Sequence, residues 1–516
     1  MIPGRGDEKR RIVPRWRSPQ ATVEAGEFES VERSGTSDVP DVAREFSLSL
    51  ERWQGSPNVG TAAEVIASAS MAKREREAVD AATFVKDKSR QAGPLLLERA
   101  ESLLALVRGT GVASDAGIPA ISPVLMGPYY EMRKQIAPLK RRVFADPQDA
   151  LAWLEMGRLH ATVGNVEQAM RAVRVASSLA RDSRYVLRSA SRFFLHAGEP
   201  DTAHEVLRRS ARSKFDPWLS AAEIATAQVA GESPRTIKTA KEILGGGAFA
   251  DHDLSELRSA LATTSLLDGR KKDARKLLEA SLRGPTENAV AQALWIAVNG
   301  EMSDLSGAVV GSLNTPRSFE ARSVASYNEG KWEDALRQAR FWYDDEPFSG
   351  RAAIHASVIA SVAFEQYEEA ISILRAALRA SPGHFLLQTN LIFNLAQSGR
   401  LEQAAALMKE VRSAPDHIPS QVVMLANSGL LQMKGGHLDA GRKAYEEAIS
   451  LARDSGLRDL AEQAMIYFAA EELSVNNRAA LPHAQALLTD VNRMKPPEAR
   501  VAIARLQRIV ERLPRE

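Results

Sequence analysis

Few side chains in this sequence have the spacing that a catalytic or metal-binding site requires. The 516 residues include no cysteine, so disulfides, thiolate-bound zinc and cysteine nucleophiles are excluded. The nine histidines are dispersed, and neither a His-Glu-x-x-His motif nor a carboxylate-rich metal loop occurs. Asp344, Asp345 and Glu346 cluster at a predicted helix end before Pro347, where we expect a solvated turn. We therefore expect no catalytic residue, no metal ligand and no cofactor.

One glycine-rich stretch could serve a nucleotide. Residues 109–119 read Gly-Thr-Gly-Val-Ala-Ser-Asp-Ala-Gly-Ile-Pro, which resembles the glycine loop of sirtuin-type NAD-binding enzymes. In that family the loop follows a β-strand and opens a Rossmann-like domain. Here a leucine-rich helix is predicted before it, no βαβ alternation follows, and Ala120-Ile121-Ser122 replaces the family's Asp-Phe-Arg. We interpret the stretch as a linker and the chain as a non-enzyme.

Composition points to helices and to an evenly balanced surface. Lys and Arg number 67 against 65 Asp and Glu, a formal net charge of +2, which argues against wholesale coating of nucleic acid or an anionic membrane. Aromatic residues make up 6% of the chain, and alanine and leucine are plentiful, as in closely packed helices. The first residues are charged rather than apolar, and no apolar run approaches 18 residues. We expect a soluble, cytoplasmic, all-α protein.

A repeat of about 34 residues organises the sequence from residue 150 onward. The clearest copy places these residues at the repeat's characteristic positions: Trp153, Met156, Gly157, His160, Gly164, Ala169, Val173 and Ala176. Further copies begin near residues 184, 218, 255, 289, 316, 351, 385, 422 and 456. The chain therefore resembles a tetratricopeptide repeat protein, and we expect a bacterial one. The resemblance implies a right-handed superhelical solenoid of about ten helix–turn–helix hairpins whose concave surface binds proteins or peptides.

The pattern divides the chain into five parts. Small residues are expected where the two helices of a hairpin cross, and glycine is expected in the turn between them. The predicted parts are a disordered tail (1–39), an N-terminal helical region (40–107), a Gly/Pro-rich interruption (108–128), the solenoid (129–490) and a C-terminal capping helix (491–516). Whether residues 40–149 are degenerate repeats or a separate domain stays open.

Three groups of residues are the predicted partner-binding sites. Within the tail, Arg15, Trp16 and Arg17 have a composition suited to docking in a groove or on an acidic surface. The family's concave positions give a positive cluster that could bind carboxylates or phosphates: Arg158, Arg188, Arg192 and His196. In later repeats the same concave positions hold a group suited to hydrogen bonding with an extended peptide: Asn390, Phe393, Gln397, Asn427 and Lys434.

Three functions remain in competition. The favoured one is a scaffold or adaptor that binds a peptide or partner protein, acidic in character if the arginine cluster is used. A second is a regulatory subunit of an effector or toxin enzyme encoded nearby. The third is nucleic-acid binding through the basic tail, residues 133–142 and the arginine cluster, which predicts affinity that falls steeply with salt.

Overall fold

The chain forms two compact units built from helices. In the computed structural model the described residues are 10–18, 42–71, 74–92, 96–97, 100–101, 103–104, 127–299, 302, 305–412, 417–475, 477–489 and 497–513. They form 25 α-helices, and no strand occurs among them. One unit spans residues 30–123, and the other combines residues 1–29 with residues 124–516. The predicted all-α class is confirmed.

The smaller unit contains three described α-helices. They are α1 (Val42–Gly55), α2 (Val59–Met71) and α3 (Glu75–Asp87). Asn58 starts α2, because its side-chain oxygen accepts hydrogen bonds from the backbone of Gly60 and Thr61. The helices pack around one apolar cluster that includes Phe46, Ile66 and Val85. The glycine stretch at 109–119 lies outside the described residues.

The larger unit begins with α4 (Gly127–Ala145) and continues as ten helical pairs among the described residues. The pairs are α5 (Ala150–Thr162) and α6 (Val166–Leu179); α7 (Arg184–His196) and α8 (Pro200–Arg209); α9 (Pro217–Ala230) and α10 (Ile237–Gly245); α11 (Asp251–Leu267) and α12 (Lys271–Ser281); α13 (Glu287–Val298) and α14 (Ser306–Ser312); α15 (Phe319–Asn328) and α16 (Trp332–Asp345); α17 (Gly350–Val358) and α18 (Tyr367–Ala380); α19 (Phe385–Gln397) and α20 (Leu401–Glu410); α21 (Ile418–Lys434) and α22 (Leu438–Asp454); and α23 (Arg458–Ser474) and α24 (Leu481–Thr489). A final helix, α25 (Pro497–Arg512), follows them.

Local signals set the ends of these helices. Asp149 caps α5 by accepting a hydrogen bond from the backbone of Ala152 at 2.9 Å, and Asp216 caps α9 in the same way. Gly164 ends the first helix of the first pair with φ of +85°, a conformation that costs little only without a Cβ. The turns are therefore encoded within each pair.

Alanine fills the helix crossings, as the repeat pattern predicts. Six alanines at equivalent positions of second helices are completely buried: Ala169, Ala203, Ala274, Ala335, Ala370 and Ala404. A larger side chain at any of these positions would push the paired helices apart, because protein interiors are close-packed. The predicted solenoid of helical pairs is confirmed.

The solenoid returns on itself after seven pairs. Helix α5 of the first pair contacts α18 of the seventh, and Gly164 lies directly against the carbonyl oxygen of Arg379. Ala380 shares a hydrophobic cluster with Phe193 of the second pair. The first helix of each pair is called an inner helix below, because these helices line the inner surface of the solenoid. The contact between the first and seventh pairs closes one side of the groove that the inner helices form.

Two segments from the ends of the chain occupy this inner surface. Residues 10–18, the N-terminal segment, belong to the tail that was predicted to be disordered by itself. They are extended and packed against inner helices of the second to sixth pairs. Helix α25 was predicted to cap the end of the solenoid, but it also reaches back to residues 359–363, which continue α17.

Candidate partner-binding groove

The N-terminal groove is the inner surface that holds the N-terminal segment. It is lined by the inner helices α7, α9, α11, α13 and α15 and by the residues that join α16 to α17. Its floor is acidic, and the segment supplies the matching positive charge.

Arg10 is held by three side chains on two neighbouring inner helices. Its guanidinium donates to Glu320 at 3.0 and 3.1 Å, to Gln292 at 2.8 Å and to Asn288 at 2.8 Å. Arg10 and Glu320 are both buried, as are the two amides. The planar guanidinium has five N–H donors in a fixed fork and makes four hydrogen bonds here, whereas a lysine has only three donors on one nitrogen.

Arg15 and Arg17 continue the ion-pair network. Arg15 donates to Glu346 at 2.6 Å and also pairs with Glu320, and its Nε lies 3.4 Å from Glu287. Arg17 donates to Glu287 at 2.7 Å and to Asp345 at 2.5 Å. The interpretation of the cluster at 344–346 as a solvated turn is therefore wrong for Asp345 and Glu346. Both are buried, because each carboxylate faces an arginine of the N-terminal segment.

Trp16 anchors the segment between distant parts of the solenoid. Its side chain is fully buried, with ring centroids 5.6 Å from Phe193 and 5.4 Å from Phe348. Phe193 lies on α7 of the second pair, whereas Phe348 lies just before α17 of the seventh. Within the described residues the indole N–H has no hydrogen-bond partner, so the contacts of Trp16 with these two rings are made by its aromatic surface.

Side chains of the groove also bind the backbone of the segment. Gln292 donates to the carbonyl of Arg10 at 3.2 Å, and Asn288 donates to the carbonyl of Val13 at 3.0 Å. Tyr185 donates to the carbonyl of Arg17 at 2.8 Å. Asn288 and Gln292 are four residues apart on α13, so both project from one face of that helix. These contacts can hold an extended chain of any sequence.

The charges of the network stabilise one another. Burial by itself would raise the pKa of Glu320, but Arg10, Arg351 and Arg15 hold that pKa well below its usual value. Burial opposes ionisation of Glu287 too, and Arg17 and Arg15 lower its pKa. Glu287 and Glu320 are therefore charged at neutral pH.

The predicted arginine cluster does not form one open binding surface. Arg158 pairs with Glu155 of its own helix, and its Nε lies 2.9 Å from that carboxylate. Arg188 is buried, pairs with Glu256 at 2.9 Å and lies 4.8 Å above the ring of Trp218. These two arginines support packing within the solenoid.

Arg192 and His196 instead line a cavity beside the N-terminal segment. The cavity has a volume of about 840 Å³ and also contacts Arg11, Gln228 and His384. The guanidinium of Arg192 lies 5.2 Å from the ring centroid of Phe348. Burial and the nearby positive charge of Arg192 lower the pKa of His196 to about 4, so this histidine is neutral at physiological pH.

The second predicted group converges on α25 in the C-terminal groove, which is the inner surface of pairs seven to ten. Gln397 donates to Glu471 at 2.6 Å, and Lys434 pairs with Glu471 at 3.0 Å. Arg505 of α25 completes the arrangement, because it pairs with Glu471 at 2.7 Å and lies 5.8 Å from the ring of Phe393. The remaining two members, Asn390 and Asn427, are buried on α19 and α21.

Sequence reasoning missed the carboxylate and amide side chains that three inner helices contribute to the N-terminal groove. Those residues belong to the fourth, fifth and sixth pairs: Glu256, Glu287, Asn288, Gln292 and Glu320. The predicted repeat starts near residues 255 and 289 differ from the observed helix starts. Helix α11 begins four residues earlier, at Asp251, and α13 begins two residues earlier, at Glu287. Counted from Glu287, Asn288 and Gln292 are the second and sixth residues of α13. These are two of the helix positions from which the tetratricopeptide resemblance predicted the binding residues in the other repeats.

Two further properties bear on the site. Within the described ranges, no group of His, Asp and Glu side chains has a geometry that could hold a metal ion. No helix of the described residues combines the length and apolar character that crossing a membrane requires.

Comparison with known proteins places part of the chain in one family. Two family profiles, both described as tetratricopeptide repeat, match residues 361–425 and 423–455. No curated protein sequence matches the chain.

The solved structures to which this chain is similar share little sequence with it. The Cut9–Hcn1 hetero-tetramer of APC/C is 11% identical with a TM-score of 0.37, and the match covers 91% of this chain and 93% of that chain. Yeast Tom70 is 11% identical with a TM-score of 0.30, over 87% of this chain and 95% of that chain. A human IFIT1 dimer with PPP-AAAA is 12% identical with a TM-score of 0.29, and the match covers 84% of this chain and 100% of that chain.

The two matched ranges cover parts of the seventh to ninth helical pairs. The same helix–turn–helix arrangement with a buried crossing alanine recurs in earlier pairs of the described chain, at Ala169, Ala203, Ala274 and Ala335. Residues 361–455 of the chain therefore match the tetratricopeptide repeat family.

Proposed function

We propose that this protein is a scaffold that holds an extended segment of a partner protein in its N-terminal groove. Tetratricopeptide repeats support a role in protein interaction in general. The observation that supports the groove as the binding site is that it already holds an extended segment of chain through backbone-directed hydrogen bonds from Tyr185, Asn288 and Gln292. Binding through backbone carbonyls is a recurring mode of peptide recognition.

The charge of the segment favours this proposal over nucleic-acid binding. Arg10, Arg15 and Arg17 face carboxylates of the groove, so while docked they are not exposed to phosphates. A regulatory subunit of an effector enzyme would use the same groove, and the identity of a captured partner would distinguish it from an adaptor.

A site-specific cross-linking experiment tests the proposal. A photoreactive amino acid is placed at Gln292 of the full chain in its host cell, and cross-linked polypeptides are identified by mass spectrometry. The matched control carries the same amino acid at Glu333, which is exposed on the second helix of the sixth pair.

The two possible results are distinct. We expect a polypeptide other than this chain to cross-link from position 292 and not from position 333. If position 292 cross-links only to residues 10–18 of the same chain under all conditions, the groove is a structural interior and the proposal is wrong.

A further inference from the structure

The side-chain pockets of the N-terminal groove define the chemistry of its occupant. Three arginines of the N-terminal segment, Arg10, Arg15 and Arg17, meet four buried carboxylates, namely Glu287, Glu320, Asp345 and Glu346. Every one of these four carboxylate side chains is at most 6% exposed. The floor is therefore built for guanidinium groups.

Two apolar pockets add a second requirement. Trp16 fills the space between Phe193 and Phe348. Ile12 is 1% exposed and packs in the cluster that contains Ala221 and Ala225 of α9. Arg11 and Val13 are only partly buried, whereas Pro14 is buried with the anchors. The recognised pattern is thus Arg-x-Ile-x-Pro-Arg-Trp-Arg in an extended chain.

The buried carboxylates restrict which occupants the groove can accept. A buried carboxylate without a cationic partner is strongly unfavourable, because its charge is neither solvated nor compensated. If the segment leaves, Glu320 keeps Arg351 and Asp345 keeps Arg317, whereas Glu287 and Glu346 lose the arginines that the segment brings. A neutral or acidic peptide would cover these two carboxylates without replacing those arginines. Any partner that enters must therefore bring arginines as the N-terminal segment leaves.

We infer that the groove selects an arginine- and tryptophan-containing segment of the partner, and that residues 10–18 are an intramolecular copy of that ligand which the partner displaces. The inference rests on the proposed function and specifies the chemistry of the partner. The segment and the groove belong to one chain, so the competing local concentration of a tethered segment is on the order of millimolar. A partner must therefore bind tightly enough to displace a segment present at this effective concentration.

A peptide exchange experiment tests the inference on the full chain. The double substitution Arg15→Ala and Arg17→Ala weakens docking of the chain's own segment. A labelled synthetic peptide with the sequence of residues 10–18 is then titrated, and fluorescence anisotropy and thermal unfolding are measured. Peptides carrying Trp16→Phe and Trp16→Ala, together with a neutral peptide of equal length, complete the set.

We expect the double variant to bind the peptide at least about tenfold more tightly than the unaltered chain, because its own segment no longer competes. The peptide should also raise the melting temperature of that variant. The Trp16→Phe peptide should retain binding, since the indole N–H makes no hydrogen bond among the described residues, whereas Trp16→Ala should lose it. Glu320→Gln added to the double variant should weaken binding, and Glu329→Gln, at an exposed carboxylate of the same pair, should not.

Other results would overturn the inference in distinguishable ways. If the neutral peptide binds the double variant as tightly, the groove binds peptides as proposed but the arginine–tryptophan selection is wrong. If no peptide binds, the proposed function fails as well.

Should the double variant not fold, hydrogen exchange of the unaltered chain provides the answer. Residues 10–18 should exchange faster when the peptide is added at about 1 mM, comparable to the effective concentration of the tethered segment. Unchanged protection at that concentration would contradict displacement.

Discussion

Glu320 joins three guanidinium groups that come from two distant parts of the chain. Arg10 and Arg15 reach it from the N-terminal segment, and Arg351 reaches it at 3.0 Å from the seventh pair. Replacing one member of a buried charge network leaves its partners uncompensated, which costs more than the pair itself contributes. The stability of the N-terminal groove therefore depends strongly on this single carboxylate.

We predict that Glu320→Gln lowers the free energy of unfolding by about 3 kcal/mol, because the buried Arg10 and Arg15 and the more exposed Arg351 lose their shared counter-charge. Urea denaturation of the full chain measures the change. The control is Glu329→Gln, an exposed residue of the same helical pair, for which a change within about 0.5 kcal/mol is expected. Equal effects of the two substitutions would contradict a role for the network.

The network should also make stability depend on acid. The arginines hold the pKa of Glu320 well below that of the unfolded chain, so its contribution is fully present above the unfolded-state pKa of about 4.3. That contribution is lost as the pH falls through the lower folded-state pKa. We predict that the urea midpoint falls more between pH 5 and pH 3 in the unaltered chain than in Glu320→Gln. Parallel pH profiles would show that other carboxylates dominate.

Arg188 and Arg192 look equivalent in the sequence but should respond differently to substitution. Arg188→Ala leaves Glu256 buried without its guanidinium and should cost about 3 kcal/mol. Arg192→Ala removes a cation–π contact with Phe348 and should cost about 1 kcal/mol or less. Thermal and urea unfolding compare the two, and a larger effect at Arg192 would contradict the assignment of Arg188 to the packed interior.

At the scale of elements, α25 is joined to the solenoid by a buried ion pair at Arg505. Arg505 joins this helix to Glu471, which also binds Gln397 and Lys434. We predict that Arg505→Ala costs about 2 kcal/mol, because a charge-assisted hydrogen bond is lost while the carboxylate keeps other partners. The loss should appear as faster hydrogen exchange in α25.

The control for this prediction is Gln507→Ala on the same helix. Gln507 is exposed, and among the residues that the structure describes it bonds only within α25, to Glu511 at 2.9 Å. Its replacement should leave hydrogen exchange nearly unchanged. Equal acceleration by both variants would mean that helix propensity rather than the Arg505 contact secures α25.

The helices could be predicted from the sequence, whereas the groove occupants could not. Each pair carries its own signals, such as the turn glycine at Gly164 and the crossing alanine at Ala169, within a few residues of the structure they specify. The contact of Arg10 with Glu320 instead joins residues that are 310 positions apart. Nothing local to either residue indicates the other, so the arginine–tryptophan tail was predicted only to dock in a groove of unspecified origin.

At the scale of the whole unit, the contact between the first and seventh pairs can be tested with two glycines. Gly164 and Gly198 occupy equivalent turns with φ of +85° and +77°. A Cβ at Gly164 would overlap the carbonyl oxygen of Arg379, whereas nothing lies within 4 Å of a Cβ at Gly198. Comparing substitutions at these two glycines therefore separates backbone strain from loss of the contact between the first and seventh helical pairs.

We predict that Gly198→Ala costs about 1 kcal/mol from its left-handed backbone alone. Gly164→Ala should cost about 1 to 3 kcal/mol more, because the added methyl group forces the two pairs apart. Small-angle scattering should show expansion for Gly164→Ala only. Indistinguishable behaviour of the two variants would mean that the contact adds nothing to stability.

The same contact changes how the solenoid can unfold. In an open array each repeat depends only on its neighbours, so unfolding can begin at either end and proceed one repeat at a time. Here the first pair cannot fray alone, because its departure also breaks the packing against α18 and uncovers the Trp16 pocket. Pairs one to seven should therefore melt as one cooperative block, and stepwise fraying should be confined to the later pairs.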